Sequence, residues 1–425
     1  MLGSMTESPA TTYPRSKIYF LSCLALFTAG LSFALRGAII ASIVGEVSPG
    51  SASLAGGLLG NAFLGFGLSL LFVSIFLDHL GMGRALLVSA LAFTSGTLIS
   101  ISASGEEAIP ALRVGFFLSG LGWGFMEAAV NPLTTALYPE DKTNRLNTVH
   151  AWWPAGAIGG TLVALAGASL DLDWRLQFAS VLLPAAGCIA LFVGTTFPRT
   201  ERASMGVSMS EMFAEIPKQP LFILWWICML LTAAAELAPN QWFDFALTRS
   251  LGIRGAWIVI YVSAMMFVFR HFAGPLAHRV SNIRLLWGSS VLAVIGLWML
   301  PYANSPATGL AAATIWGLGV CFLWPTMLAS VAERYPKGGE LFIGLMGVAG
   351  ALSIQFVLPA LGSITDDTKH ELAGGSAAFE ALPLAAQGPL LQAANEAAFH
   401  TLAGYVAILI VVFGAIAVFE RKQNA

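Results

Sequence analysis

Residues 53–77 read SLAGGLLGNAFLGFGLSLLFVSIFL, a stretch of 25 residues without a charged side chain. About 20 apolar residues in a helix cross the hydrocarbon core of a bilayer, so this stretch predicts a transmembrane helix. The whole chain has the same character, because 57% of its 425 residues are hydrophobic and only 10% are charged. So few charges cannot cover a water-soluble domain, and the net charge of -2 indicates no nucleic-acid partner.

Eleven further apolar runs lie around this stretch, separated by turn residues or charge clusters. Together they predict an all-α polytopic membrane protein with twelve transmembrane helices. The predicted spans are 18–44, 53–77, 84–104, 111–137, 148–169, 175–197, 220–247, 255–277, 284–303, 307–331, 341–363 and 397–419.

Two long connections divide the chain. Residues 364–396 are acidic, rich in Ala and Gly, and contain Pro383 and Pro389, so we expect a long outer loop with at most a short surface helix. The predicted division is a cytoplasmic tail at 1–17, a six-helix bundle at 18–197, a cytoplasmic inter-half loop at 198–219, a second six-helix bundle at 220–419 and a cytoplasmic tail at 420–425.

The distribution of Lys and Arg predicts the orientation in the membrane. With the N-terminus inside, fourteen of the 21 basic residues fall on the cytoplasmic side and five on the outer side. Cytoplasmic loops carry an excess of Lys and Arg. We therefore expect a multi-pass protein of the cytoplasmic (inner) membrane with both termini in the cytoplasm.

The two halves carry matching motifs. Gly120-Leu121-Gly122 and Tyr138-Pro139 recur as Gly317-Leu318-Gly319 and Tyr335-Pro336, each pair 197 residues apart. Several elements that keep one register indicate an internal repeat. Two pseudo-symmetric six-helix bundles are the arrangement of carriers whose halves rock about a central site.

The loop after the second span reads Asp78-His79-Leu80-Gly81-Met82-Gly83-Arg84, and a degenerate copy follows the eighth span, with His278, Arg279 and Arg284. This pattern resembles the corresponding loops of the major facilitator superfamily. In that family the loop helps to lock one gating state. The resemblance implies that these five charged or titratable positions, Asp78, Arg84, His278, Arg279 and Arg284, are gating residues; the alternative is that their charges only set the topology.

Two further stretches read Gly124-Phe-Met-Glu127-Ala-Ala-Val-Asn131-Pro132 and Arg145-Leu-Asn147-Thr-Val-His150. They resemble the fucose permease-like sugar/proton symporters. This narrower resemblance implies proton coupling by the fourth-helix glutamate, Glu127. The first span departs from that pattern, because it carries Arg36 where those symporters have an aspartate.

Two acidic residues lie near the middle of predicted spans, where a charge is costly and marks a functional site by default. Glu127 has Asn131 on the same helix face, and hydrocarbon favours its protonated form, which makes it a candidate proton carrier. Glu236 precedes Pro239, and with Asn240 and Gln241 it predicts a polar cluster at a kinked helix. We expect both acids to line a wet chamber between the bundles; the alternative is a structural role for each.

Arg36 is the basic counterpart of these acids. A guanidinium at this depth needs a counter-charge, and the candidates are Glu127, Glu236 or an anionic ligand. The sequence does not distinguish a structural ion pair from a ligand contact.

Weaker candidates for the cavity wall follow from residue type alone. The indole rings could stack on a sugar or pack in the core, and the polar residues could line the pathway or bond between helices. These candidates are Asn61, His150, Trp316, Trp324 and Gln355. The four cysteines lie in apolar stretches and form no CxxC pair, so neither a disulfide framework nor a metal site is expected.

Together these patterns predict a secondary transporter rather than an enzyme. It would move a small polar solute by alternating access, with a sugar and a proton as the first expectation and an organic anion or drug bound by Arg36 as the alternative. A receptor or a membrane enzyme is a remote alternative. We find no Walker-type phosphate loop, expect no cofactor, and take a monomer surrounded by membrane lipid as the working unit.

Overall fold

The structure is a computed structural model that describes residues 13–140, 145, 148–199, 209–251, 254–271, 280–335 and 339–423. These residues are almost entirely helical and include no strand. The first half contains α1 (Arg15–Val47), α2 (Ala52–Leu80), α3 (Met82–Ser102), α4 (Ala108–Leu137), α5 (Trp152–Ser169), α6 (Trp174–Ala179) and α7 (Leu182–Phe192). The remainder contains α8 (Met209–Glu215), α9 (Phe222–Leu251), α10 (Ala256–His271), α11 (Asn282–Met299), α12 (Pro306–Val320), α13 (Leu323–Arg334), α14 (Gly339–Ala373), α15 (Ser376–Ala381) and α16 (Leu384–Gln423).

The predicted all-α membrane architecture is confirmed. Within the described ranges, ten helical segments are long and apolar enough to cross a membrane. The fifth and eighth predicted spans correspond to α5 and to the shorter apolar helix Ala256–Phe269 within α10. The twelve predicted spans therefore each have a helix.

Residues 364–396 differ from the prediction of a long outer loop. Helix α14 continues to Ala373, α15 follows, and α16 already begins at Leu384. The chain leaves helical geometry at Gly374 and Gly375, whose φ angles are +81° and +128°. Polarity decides how deep a segment lies in a membrane but not whether it is helical, and this Ala-rich segment has good helix propensity.

Two predicted spans are interrupted where a proline lies in the first turn of the second piece. Pro184 lies near the start of α7 and Pro325 near the start of α13. A first-turn position suits proline, because its missing N–H would have no partner within the helix. Of the predicted inter-half loop 198–219, the described part includes the short helix α8, and residues 200–208 lie outside the described residues.

The glycines of the repeated motif occupy equivalent positions in the two halves. A Cβ added at Gly120 or Gly122 would meet α2 or α3, at Ala62 and Ser89 respectively. A Cβ added at Gly317 or Gly319 would meet α10 or α11. The helix that carries the motif therefore packs against the same two neighbours in each half, as an internal repeat requires.

Among the described residues, the halves meet most extensively along three helix pairs: α2 with α14, α1 with α9, and α5 with α10. Glycines allow the closest of these contacts, because Gly56 lies against the backbone of Leu358 and Gly362 lies against the backbone of Ala52. Small residues let helix backbones approach closely in membrane proteins. We call the end of the bundle at residues 48–51, opposite the start of α1, the distal end.

Candidate solute pathway and distal closure

Glu127, Asn131 and His150 are connected side chains on α4 and at the start of the next helical segment. Glu127 and Asn131 are half-buried on one face of α4. The Asn131 amide donates to the backbone oxygen of Glu127 at 3.4 Å, and its Oδ1 lies 2.6 Å from His150 Nε2. The amide oxygen can only accept, so the contact is a hydrogen bond in the tautomer that carries a proton on His150 Nε2. The structure thus brings together two strong sequence candidates and one weak one.

An aromatic cluster lies one turn from Glu127 along α4. Trp123 stacks on Phe66 with ring centroids 4.3 Å apart, and it also contacts Phe33, Phe63 and Trp153. The indole Nε1 atoms of Trp123 and Trp153 are buried, and neither has a hydrogen-bond partner within the described part of the chain. Sequence reasoning missed this cluster; the i, i+4 spacing of Trp123 and Glu127 was the available signal.

Glu236, Asn240 and Gln241 are buried in α9, which remains one continuous helix through Pro239. The Asn240 amide donates to the backbone oxygen of Glu236 at 2.9 Å. Gln241 Nε2 donates to the backbone oxygen of Phe33 in the other half at 2.8 Å. The predicted polar cluster is therefore present, and one member joins the two halves.

Arg36 is 1% exposed, and its Nη1 donates to Ser32 Oγ at 3.0 Å. Its guanidinium carbon lies 5.8 Å from the centre of the Phe116 ring, and its Nε has no hydrogen-bond partner. Among the described residues, no carboxylate oxygen lies within 4.0 Å of the guanidinium. Neither proposed ion pair, with Glu127 or with Glu236, is present.

The weaker candidates have structural contacts. Asn61 donates to the backbone oxygen of Arg113 at 3.0 Å and so joins α2 to α4. Trp316 is fully buried and donates to the backbone oxygen of Ala235, while the half-buried Trp324 ring covers Gly350. Trp316 is therefore held in a structural contact, and Trp324 as a cavity residue stays a prediction. Gln355 is half-buried on α14, and its buried Oε1 has no hydrogen-bond partner in the described ranges.

A cavity of about 740 Å³ lies between the halves at the distal end rather than beside the predicted acids. Neither Glu127 nor Glu236 lines it. Its polar lining comes from both halves and includes Ser42, Asp244, Arg254, Lys369, Gln392 and Asn395. This cavity is thus distinct from the chamber expected beside the two acids, which stays a prediction.

The distal end is closed by side chains of the second half that bind the backbone of the first. Asp366 accepts hydrogen bonds from the N–H groups of Ala52 and Ser53 at 3.1 and 2.8 Å. Lys369 Nζ donates to Asp366 and to the backbone oxygen of Gly50, both at 2.6 Å. Since Asp366 accepts at the positive N-terminal end of α2, its charge is favoured there.

Arg254 adds a third connection at the distal end. It forms an ion pair with the buried Asp244 and donates through Nη2 to the backbone oxygen of Ala38 at 2.8 Å. Asp244 also accepts from the N–H of Ala256 at 3.0 Å. None of these residues was singled out from the sequence, because a charge near a predicted span end reads as an ordinary interfacial charge.

The predicted gating loop forms a tight turn between α2 and α3. Gly81 has a φ of +83°, a conformation that favours glycine, and Asp78 and Arg84 line a cavity of about 540 Å³. Arg284 is exposed at the start of α11. His278 and Arg279 lie outside the described residues.

The sequence is similar to those of known transporters. Residues 21–358 match the model of the Major Facilitator Superfamily. An uncharacterized transporter of Sinorhizobium fredii is 24% identical over 306 residues, which cover 67% of this chain and 79% of that protein. A gentisate transporter of Corynebacterium glutamicum is 27% identical over 165 residues, which cover 36% of this chain and 35% of that protein.

Solved structures show the same fold at low identity. A D-xylose-proton symporter superposes with a TM-score of 0.70 at 15% identity, covering 91% of this chain and 97% of that one. A nucleoside transporter gives 0.67 at 14% identity and covers 94% and 98%. The Escherichia coli fucose:proton symporter gives 0.58 at 14% identity and covers 92% and 98%. With the family model matching most of the chain, this protein is a transporter, not an enzyme, and belongs to the Major Facilitator Superfamily.

Proposed function

We propose that this chain is a secondary active transporter that moves a small polar solute by alternating access, in symport with a proton. The observation that carries the proposal is the half-buried Glu127 in the interior of α4, connected through Asn131 to His150. Ionisable side chains at membrane depth mark proton relays or substrate pathways.

Glu127 is the proposed proton carrier. His150 is the proposed proton relay between Glu127 and the membrane side on which the chain termini lie. The 2.6 Å contact with Asn131 holds the imidazole beside α4, and histidine is a side chain suited to passing protons. When protonated, Glu127 is neutral, and the low-dielectric interior holds it at a smaller free-energy cost. Coupling follows if solute and proton favour the same conformational change.

A sugar or sugar-like solute is the first candidate substrate. Its support is the shared fold with a D-xylose-proton symporter and a fucose:proton symporter. The second candidate is an organic anion, which the carboxylate-free surroundings of Arg36 and the partial similarity to a gentisate transporter favour.

We propose that the protein lies in the cytoplasmic (inner) membrane with both termini in the cytoplasm. The excess of Lys and Arg on the terminal side supports this orientation. The closed distal end then faces outwards, so that the conformation is one with the outer side shut. Asp78 and Arg84 are the proposed gating residues on the cytoplasmic side, and a single chain contains both halves of the pathway.

The test is uptake by purified protein in proteoliposomes. Uptake of radiolabelled D-xylose, L-fucose and benzoate is measured with and without an imposed proton gradient, with the outside acidic. We expect at least one of them to accumulate above its equilibrium level only with the gradient. Equal uptake with and without the gradient, or a gradient response that sodium rather than protons produces, would overturn the proton-symport proposal.

A further inference from the structure

Arg36 differs from three other buried or half-buried cations, each of which has a carboxylate partner. Lys369 pairs with Asp366 at 2.6 Å, Arg175 pairs with Glu46 at 2.6 Å, and Arg254 pairs with a carboxylate as well. Arg36 is more buried than any of them and has only a hydroxyl and a ring beside it. A buried cation without a counter-charge costs free energy, which binding of an anion would recover.

The register of α4 explains why Glu127 does not neutralise Arg36. The guanidinium lies over Phe116, and Glu127 follows 11 residues later on the same helix. At 1.5 Å per residue the two positions are about 16 Å apart along the axis. Eleven residues are close to three full turns, so Phe116 and Glu127 point the same way. Phe116 and Glu127 thus mark the two ends of one strip along α4, and Arg36 lies over the Phe116 end.

The aromatic cluster lies between them on that strip. Trp123 is seven residues after Phe116, about 10 Å along the helix. Phe33, three residues before Arg36 on α1, packs against Trp123 and Trp153 with ring centroids 5.7 and 5.0 Å away. Along this strip the order is therefore the Arg36 cation, the aromatic rings around Trp123, and the Glu127 carboxyl group.

Three polar atoms around Phe33 also lack hydrogen-bond partners in the described part of the chain. They are the indole Nε1 atoms of Trp123 and Trp153 and the Oε1 of Gln241. Gln241 belongs to this site because its Nε2 donates to the backbone oxygen of Phe33. Buried polar groups normally have a partner, so two donors and one acceptor in one place indicate a ligand with oxygen substituents.

We propose that the transported solute is a small carboxylate with a flat ring that bears hydroxyl or carbonyl groups. Its carboxylate binds the Arg36 guanidinium, its ring lies against the rings of Phe33, Trp123 and Trp153, and its ring oxygens bind the indole N–H groups. This inference rests on the proposed function and names its substrate class, choosing the anion over the neutral sugar. The rings touch in the solute-free structure, so binding must separate Trp153 from Phe33.

The first experiment measures ligand binding to the purified full chain by thermal shift and tryptophan fluorescence. The probes are benzoate, 4-hydroxybenzoate, benzamide and D-xylose. We expect both carboxylates to raise the melting temperature and change the fluorescence, and benzamide and D-xylose to have no effect. Stabilisation by benzamide or D-xylose equal to that by benzoate would overturn the inference.

Variants then assign the contacts. Arg36→Gln should weaken benzoate binding roughly 30-fold or more, since it removes a buried charged partner. Arg36→Lys keeps the charge and is the second variant if the first does not fold; it should bind benzoate more weakly than wild type but still prefer it to benzamide. Arg113→Gln, at an exposed arginine of α4, is the matched control and should bind as wild type does. Wild-type benzoate affinity in both Arg36 variants would overturn the contact.

Trp123→Phe keeps an aromatic ring at this position but removes the indole N–H. It should lower affinity for 4-hydroxybenzoate several-fold more than affinity for benzoate, which loses only part of its ring contact; equal losses for the two ligands would contradict the hydrogen bond. The outcomes separate this inference from the proposed function. Arg36-dependent carboxylate binding without gradient-driven uptake refutes proton symport alone, whereas gradient-driven D-xylose uptake that Arg36→Gln leaves intact refutes the substrate class alone.

Discussion

The indole Nε1 of Trp316 donates a 2.9 Å hydrogen bond to the backbone oxygen of Ala235. Ala235 is four residues before Pro239, so its carbonyl is the one whose helical N–H partner the proline lacks. A side chain from α12 therefore replaces the missing hydrogen bond of α9. This contact explains how α9 stays continuous through a proline beside the buried Glu236.

We expect Trp316→Phe to lower stability by about 1–3 kcal/mol, because the Ala235 carbonyl is left buried without a partner. Thermal unfolding of the detergent-solubilised protein measures the loss. Pro239→Ala supplies a backbone N–H for the same carbonyl, so in that background Trp316→Phe should cost less. An equal cost in both backgrounds would show that Trp316 acts only through packing.

The repeated glycines give a matched pair of substitutions. A Cβ at Gly120 would collide with the backbone of Ala62, which cannot move away independently, whereas one at Gly317 would meet the flexible end of Met265. We expect Gly120→Ala to cost about 1–3 kcal/mol or more and Gly317→Ala less than about 1 kcal/mol. Melting temperatures compared side by side check the difference, and equal losses would contradict the packing described for α4.

The distal closure predicts a change in accessibility. Asp366→Asn removes the charge that faces Lys369 and the start of α2, and should favour opening of the distal end. The reporter is a cysteine at Ala52, which is fully buried beside Gly362, in a chain whose four native cysteines are all buried. A weakening of about 1 kcal/mol should raise the rate of labelling by a water-soluble maleimide about fivefold.

Asp367→Asn is the control for that experiment. Asp367 is the neighbouring acid, exposed on the same helix. It should leave the labelling rate of the cysteine at position 52 unchanged. If both variants speed labelling equally, the effect is one of general surface charge and the role given to Asp366 is wrong.

Local pattern was sufficient to predict the helices and the interior positions of Glu127, Asn131 and Gln241. These predictions rest on properties a single segment possesses: its length, its apolar content and the spacing of its polar residues. The link from His150 to Asn131 depends on how two helices meet, so sequence could offer both residues but not their contact.

What the sequence left open or missed has the same origin. For Arg36 it left three candidate counter-charges, Glu127, Glu236 or an anionic ligand, and only the register between α1 and α4 shows that Glu127 is about three turns away. Packing and solute stacking could not be distinguished for Trp316, because its partner, the carbonyl opposite Pro239, is 81 residues distant in sequence. Asp366 and Lys369 were placed in a loop because an acidic, Ala-rich segment resembles one, although it forms the last turns of α14.

The central claim is that Glu127 carries the coupled proton, and Glu127→Gln tests it most directly. In proteoliposomes, solute counterflow of D-xylose or benzoate, whichever the wild type accumulates, needs no proton gradient, whereas accumulation does. We predict that Glu127→Gln retains counterflow but loses gradient-driven accumulation at least about tenfold, while Glu140→Gln, at an exposed glutamate just beyond α4, retains both. Gradient-driven accumulation by Glu127→Gln at the wild-type level would contradict the account.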